Sequence, residues 1–376
     1  MQRMHMSSKV YFVDLRARSY KDSKIAKIAD LFDAAGFNGI LGRDMLTAIK
    51  VHFGEEGNDT FINPVFVRVV VDRCLKARAK PFITDSNTLY SGSRHNAVDH
   101  LETALKHGYS FATVNAPLVI ADGLSGKAAI EVPIKDGKHF KTVTICEAIV
   151  ESRAMLVLSH FKGHELAGFG GALKNLAMGC APAKGKKDQH NLKFVVDEGT
   201  CISCGACIKA CPVQAISFTK ERKARIKPEI CIGCGECVTV CPVKAIGMDW
   251  NTSLEPFTER MIEYAKGAVA GKEEHVGYIN FLMNITPDCD CAGWSDAPLV
   301  PDIGILASKD PVALDKACWD MVNQQTGFKA SLLQAGHAPG EDKFKGVWNY
   351  TMGELQLSLA EKLGLGSTKY SLVDLS

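Results

Sequence analysis

Eight cysteines gathered into two short runs constrain this chain more than any other feature. Residues 201–212 read CISCGACIKACP and residues 231–242 read CIGCGECVTVCP, the spacing C-x2-C-x2-C-x3-C-P written twice. In that spacing three thiolates wrap one corner of an iron–sulfur cube, and the fourth cysteine, just before a proline, reaches across to the other cube. The pattern predicts two [4Fe–4S] clusters, one held by Cys201, Cys204, Cys207 and Cys241, the other by Cys231, Cys234, Cys237 and Cys211. Zinc sites pair four ligands as two plus two, without a crossing. A disulfide framework does not favour such density in a chain with no mark of secretion. A unit of this kind moves electrons one at a time, so the expected role is low-potential electron transfer, or a module kept as structure.

The two halves form an internal repeat, CPVQAI at 211–216 echoed by CPVKAI at 241–246. The segment 195–250 reads as an inserted, bacterial-type 2[4Fe–4S] ferredoxin-like module. On either side of it the pattern alternates between short apolar runs and amphipathic stretches. KVYFVDL (9–15), LTAIKVHF (46–53), KPFITD (80–85), PLVIADG (117–123) and AMLVLSHF (154–161) read as strands, as do HVGYINFLMNI (275–285) and DIGILASK (302–309). Residues 22–36, 64–79, 96–108, 311–325 and 351–365 read as helices, with proline at the first turn of the second and glycine closing the first and third. Such alternation predicts an α/β fold, a mostly parallel sheet with flanking helices. The expected organisation is an α/β body at 1–194 and 251–376 interrupted by the cysteine module; two α/β domains flanking it are the alternative.

The chain has 376 residues, 46% hydrophobic and 23% charged, with a net charge of +2. That balance supplies no field for nucleic acid or a membrane surface, and no apolar run has the length to span a bilayer. MQRMHMSSKVYFVDL at the start lacks the apolar core of a secretory signal, so a cytoplasmic location is expected. Cys74, Cys146 and Cys318 fall in helix-like stretches as small hydrophobes. Neither a dinucleotide-binding G-x-G-x-x-G in a βαβ setting nor a P-loop is present.

Outside the cysteine runs, attention falls on SHFKGHELAGFGGALKNLAMGCAPAKGKKDQH (159–190). It leaves a buried strand, where ligands bind in parallel sheets. It brings His160, His164, Lys174 and His190 as candidate catalytic residues, with Gly168, Gly170 and Gly171 letting a backbone approach closely. The amides after Gly171 can face an anion at a helix start. Lys174 would anchor an anionic group or cofactor, and the imidazoles would ligate a metal or carry protons. Lys184, Lys186 and Lys187 suit a bound anion or a solvated turn equally. A further substrate or second-metal site is offered by His52 and Glu55 after one strand, Arg94 and His95 after another, and Cys289 and Cys291 in PDCDC. Asp85 reads as a turn or cap residue, and Cys180 as a ligand, a nucleophile or a helix-end filler.

The chain resembles the DUF362 family, in the branch described as an Fe–S centre protein. The likeness rests on IKVHFGEEGN (49–58), TDSNTLYSGSRHNAVDHL (84–101), SHFKGHELAGFGGALKNLAMGC (159–180), the cysteine runs and ITPDCDCAGWSDAPLVPDIGIL (285–306). Segment 159–190 is also similar to the lactate racemase family, whose enzymes bind a nickel-pincer nucleotide. By that resemblance His164, Lys174 and His190 correspond to a histidine, the pincer-bearing lysine and a nickel-ligating histidine. It implies either that cofactor or a shared fold without it.

Three functions follow as expectations. The first is an iron–sulfur oxidoreductase that trades electrons with an external carrier of ferredoxin or flavodoxin type and acts on a small, anionic substrate. The second is an electron carrier without chemistry of its own. The third is an isomerase with accessory clusters. Two [4Fe–4S] clusters, with an additional metal or anionic cofactor near Lys174, complete the expected inventory.

Overall fold

The computed structural model describes residues 7–90, 92–190, 193–248 and 254–376. Its centre is an eight-stranded sheet in the order Tyr370–Asp374, Ser8–Val13, Gly304–Ser308, Val276–Leu282, Ala154–His160, Leu46–Lys50, Lys80–Asp85, Leu118–Ile120. Of these eight strands, Gly304–Ser308 alone opposes its neighbours, pairing antiparallel with Val276–Leu282 and with Ser8–Val13. The others run parallel. The sheet is therefore mixed, and mostly parallel. Its strands come from both sides of the cysteine segment, which leaves the sheet after His160 and precedes its return at Val276.

Alternate residues of the central strand show why both faces are covered. Leu156 and Leu158 join one apolar cluster, with Phe32, Val67 and Ala104 from the helices Lys24–Ala34, Pro64–Lys76 and Ala97–Lys106. Met155 and Val157 join the opposite cluster, with Leu173, Phe257, Leu314 and Leu357 from Ala172–Ala177, Leu254–Val269, Pro311–Asn323 and Gly353–Lys362. A strand with period-two alternation and apolar residues on both faces is dry on both. Helix starts follow their capping residues. Asn96 accepts from the Val98 and Asp99 amides, and Asp310 from Val312 and Ala313 ahead of Pro311.

The cysteine segment builds two small antiparallel pairs, Phe194–Val196 with Ile246–Met248 and Ile216–Phe218 with Ala224–Ile226. Two short helices, Ala206–Ala210 and Glu236–Thr239, pack together between them. Phe194, Ile216, Ala224 and Val238 belong to the same apolar cluster as the second face of the sheet, so the segment is seated on the body. The expected boundary at residue 250 lies outside the described residues.

Several expected elements are shorter than read, LTAIKVHF ending as a strand at Lys50 and HVGYINFLMNI at Leu282. The hairpin Ala129–Pro133 with Thr142–Cys146, the helix Leu254–Val269 and the strand Tyr370–Asp374 were not legible as elements. Among the described residues no helix is long and apolar enough to cross a membrane.

Candidate functional site

The carboxyl ends of Leu46–Lys50, Lys80–Asp85, Ala154–His160 and Val276–Leu282 release their loops toward one cavity. Its wall carries His52, Arg94, His160, His164, Lys174, His190, Cys289 and Cys291. The space open to water is about 100 Å³, room for a small molecule but not for a dinucleotide. Residues as far apart in sequence as His52 and Cys291 thus share one pocket because the parallel sheet aims their loops the same way.

At its heart Lys174 Nζ donates to Cys289 Sγ at 3.4 Å. The neighbouring Cys291 thiol and the ammonium groups of Lys174 and Lys162 hold the Cys289 thiol well below its usual range despite burial. Cys291 moves the other way, raised by Cys289 and by burial. Lys174 therefore answers a thiolate of this chain, where a free anion-anchoring lysine was expected.

The imidazoles divide. His164 Nδ1 accepts from the amides of Leu166 (3.0 Å) and Ala167 (3.2 Å), leaving Nε2 to carry the ring proton. Burial and Lys174 depress its pKa. His190 is pushed down to about 3 by burial, Lys174 and Lys186, and its Nδ1 is buried without a hydrogen-bond partner. His52 is likewise lowered to about 3 by burial and Arg94. These three are neutral at neutral pH. His160 is a brace: Nδ1 lies 2.7 Å from Asp290 Oδ1 and Nε2 lies 2.9 Å from Asn284 O. With both nitrogens committed to the loop after Val276–Leu282, it is not a free ligand or proton carrier.

Arg94 and Glu55 are also structural. Arg94 Nε donates to Glu55 Oε2 (3.1 Å) and Nη2 to the Tyr90 hydroxyl (2.7 Å), while the Ser93 amide and hydroxyl both donate to Glu55 Oε1 at 2.6 Å. The guanidinium fork expected to grip a substrate is thus consumed within the chain. His95 is exposed, contacts Tyr90 O and does not line the cavity. The helix start after Gly171 is also occupied, since Asp315 accepts from the amides of Ala172 (2.8 Å) and Leu173 (2.9 Å). A methyl group at Gly171 would collide with that carboxylate, and one at Gly163 would overlap the Pro287 carbonyl ahead of the Cys289 turn. Gly163 lies in the small antiparallel pair Lys162–His164 with Gly168–Gly170, and Gly171 follows it, so the two glycines let this pair sit against Pro287 and Asp315. Cys180 is buried and its thiol is raised to about 11 by burial, as for a helix-end filler.

Sequence reasoning missed Lys50, and it left Lys162, Glu165 and Asp290 without roles of their own beside the candidates they neighbour. Lys50 Nζ donates to Val51 O, Asp85 Oδ1 and Asn175 Oδ1 at 2.8, 2.9 and 2.7 Å. Lys186 Nζ donates to Ser86 Oγ (2.6 Å), Asn87 O (2.8 Å) and Ala181 O (2.6 Å), so the turn read as solvated is a helix, Ala183–His190, with a lysine turned inward. A lysine inside an apolar strand such as LTAIK was the available signal.

Glu165 is buried, and burial lifts its pKa from 4.5 to about 8. A raised carboxyl contributes stability that is complete below its unfolded value and is lost as pH rises through its folded one. Glu165→Gln is therefore expected to be on the order of 3 kcal/mol more stable than the parent at pH 8, and nearly equal to it at pH 4.5. Denaturant titrations at the two pH values measure this, and an equal gap at both would refute it.

The cysteine runs surround two further cavities. One is lined by Cys201, Cys204, Cys207 and Cys241, the other by Cys231, Cys234, Cys237 and Cys211, the crossed sets read from the spacing. All fourteen cysteines are free thiols. The Ala215 amide donates to Cys211 Sγ and the Ala245 amide to Cys241 Sγ, both at 3.2 Å, and Gly233 to Cys231 Sγ at 3.4 Å. Amide donors of this kind hold thiolate ligands and tune a cluster, so the donor set fits an iron–sulfur cube. Among the described residues no three His, Cys, Asp or Glu side chains converge on a single ion. Beside Lys174 this leaves the expected second metal with fewer than three such ligands among the described residues. Cys234 and Glu236 line both the second cysteine cavity and the sheet-edge cavity.

A family model described as a domain of unknown function, DUF362, matches residues 47–320. A stretch of 34 residues is 50% identical to a ferredoxin from Pyrobaculum islandicum, covering 9% of this chain and 32% of that protein. Among solved structures, the lactate racemase apoprotein from Thermoanaerobacterium thermosaccharolyticum is similar over 68% of this chain and 49% of its own, at 14% identity and a TM-score of 0.36. A protein from Thermotoga maritima is similar over 79% and 58%, at 12% identity and a TM-score of 0.37. Ferredoxin I from Desulfovibrio africanus is similar over 16% of this chain and 97% of its own, at 30% identity and a TM-score of 0.14. The chain spans about a third of the curated ferredoxin and about half of the racemase.

Proposed function

The chain belongs to the DUF362 family, and from that premise we propose that it is an iron–sulfur oxidoreductase whose cysteine segment holds two [4Fe–4S] clusters and serves the sheet-edge cavity. The observation that carries this reading is the position of Cys234, a wall residue of both the second cysteine cavity and the cavity of Lys174 and Cys289. Clusters bound in the two cysteine sets supply electrons singly at low potential.

The rest falls to the chain itself. Cys204 of the first set is exposed, which gives an external carrier of ferredoxin or flavodoxin type an approach to that set, and Cys234 puts the second set at the substrate cavity. Glu165 and Glu236, raised by burial to about 8 and about 7, hold protons near neutral pH and can pass them to a reduced substrate. His164 presents an Nε2 proton beside them. The substrate is small, and an anionic group on it would meet the ammonium group of Lys174, whose one described hydrogen bond is to Cys289.

Metal and sulfide analysis of anaerobically purified protein, with low-temperature EPR after reduction, tests the reading. About eight irons and eight sulfides per chain, with spectra of two interacting reduced cubes, are expected. Zinc in place of iron would overturn it.

A further inference from the structure

We propose that Cys289 and Cys291 form a dithiol–disulfide couple in the cavity wall, which takes two electrons from the iron–sulfur segment beside Cys234 and passes them to a small disulfide substrate. This rests on the preceding reading, in which that segment carries two clusters. The backbone brings the two cysteines together. The Ala292 amide donates to Cys289 O at 2.9 Å, closing a β-turn with Asp290 and Cys291 at its centre. Both side chains line the one cavity, two residues apart across this turn. The turn is pinned on two sides, by Asp290 to His160 and by the Tyr90 hydroxyl donating to Cys291 O at 3.1 Å. Lys174 Nζ, 3.4 Å from Cys289 Sγ, favours the thiolate, which is the attacking form in disulfide exchange. Cys234 closes the same cavity.

The chemistry balances. When the couple is reduced, the Cys289–Cys291 S–S bond breaks on taking up two electrons, one from each cluster, and one proton. Cys291 leaves as the thiol and Cys289 as the thiolate facing Lys174. When the couple is oxidised, the Cys289 thiolate attacks one sulfur of the substrate disulfide and expels the other as a thiolate. Cys291 gives its proton to that leaving thiolate and attacks the Cys289 sulfur. The internal S–S bond closes and the second substrate thiolate departs.

The test uses the full chain, purified anaerobically and treated with bis(2-hydroxyethyl) disulfide, a disulfide small enough for the cavity. After an acid quench and alkylation, mass spectrometry should find the peptide containing 289–291 unalkylated and two hydrogens lighter. In a reductive titration the oxidised parent should take up about four electrons per chain, against about two for Cys289→Ser and for Cys291→Ser, since each cluster accepts one. Full alkylation of both cysteines after oxidation, or equal uptake in all three proteins, would overturn the couple. Iron, sulfide and EPR on the same samples separate the layers. Intact clusters without the disulfide sink the couple alone, whereas missing clusters sink the reading beneath it and the couple's electron source together.

Discussion

Lys50→Met is expected to lower the unfolding free energy by about 3–5 kcal/mol, the range for removing one partner of a buried ion pair. Lys50 is fully buried, and its three donors reach Val51 O, Asp85 Oδ1 and Asn175 Oδ1. Methionine keeps an unbranched apolar stem one atom shorter and removes all three. Asp85 keeps Arg94 and His100, each 3.6 Å away, but loses its closest cation, and the Asn175 carbonyl is left facing an apolar tip. The cost arises from those stranded groups. A second change, Asp85→Asn, made in the Lys50→Met background, should therefore cost less than it does in the parent. Denaturant midpoints of the four proteins form a double-mutant cycle. An unchanged midpoint for Lys50→Met would show that the pair does not hold the strand ends.

Asp290→Ala should be similarly severe, at about 3–5 kcal/mol near neutral pH. Asp290 is fully buried and faces three groups: His160 Nδ1 at 2.7 Å, the Thr60 hydroxyl at 3.2 Å and Lys162 Nζ at 3.5 Å. Although burial opposes the charge, His160 and Lys162 hold the carboxyl well below its ordinary 3.8. The sign of the pH dependence follows. A depressed carboxyl contributes stability that is present above its unfolded value and is lost as pH falls through its folded one. The gap between parent and variant should thus be flat from pH 7 to about 4 and narrow below it, as a pH series of denaturant titrations would show. A gap that widens toward low pH would mean that Asp290 is not the anion holding His160 and Lys162. The same variant should raise the alkylation rate at Cys291 as the turn loosens.

What was readable from the chain follows physical range. KPFITD is a strand to the residue, and the crossed cysteine sets line separate cavities, because local periodicity and ligand spacing are short-range properties. The placing of His164, Lys174 and His190 at one sheet edge followed from the rule that parallel strands release their loops there, while Cys289 and Cys291, read as a further site, share the same pocket. The direction of Gly304–Ser308 was not readable, since a short apolar run carries no sign of its orientation. The roles of His160, Arg94 and Glu55 were misjudged because their partners lie 130 and 39 residues away. Sequence shows a charged residue at a strand end but not the group that neutralises it. AKGKKDQH read as a polar turn, yet it is helical. Arg260 donates to the Gln189 and His190 carbonyls at 3.0 Å, satisfying the helix end from a helix some 70 residues on.

The way the sheet is threaded also sets an order of assembly. The first strand lies between Gly304–Ser308 and Tyr370–Asp374, and the Ser8 hydroxyl donates to Asp310, 302 residues on. The central strand Ala154–His160 waits for Val276–Leu282. Closing such long loops is the slow step in folding. The cysteine segment makes its own strand pairs within a short span, yet Phe194, Ile216, Ala224 and Val238 share an apolar cluster with the second face of the sheet. Its short-range pairs can therefore form early, while the burial of its apolar side waits for the long-range closure of the sheet.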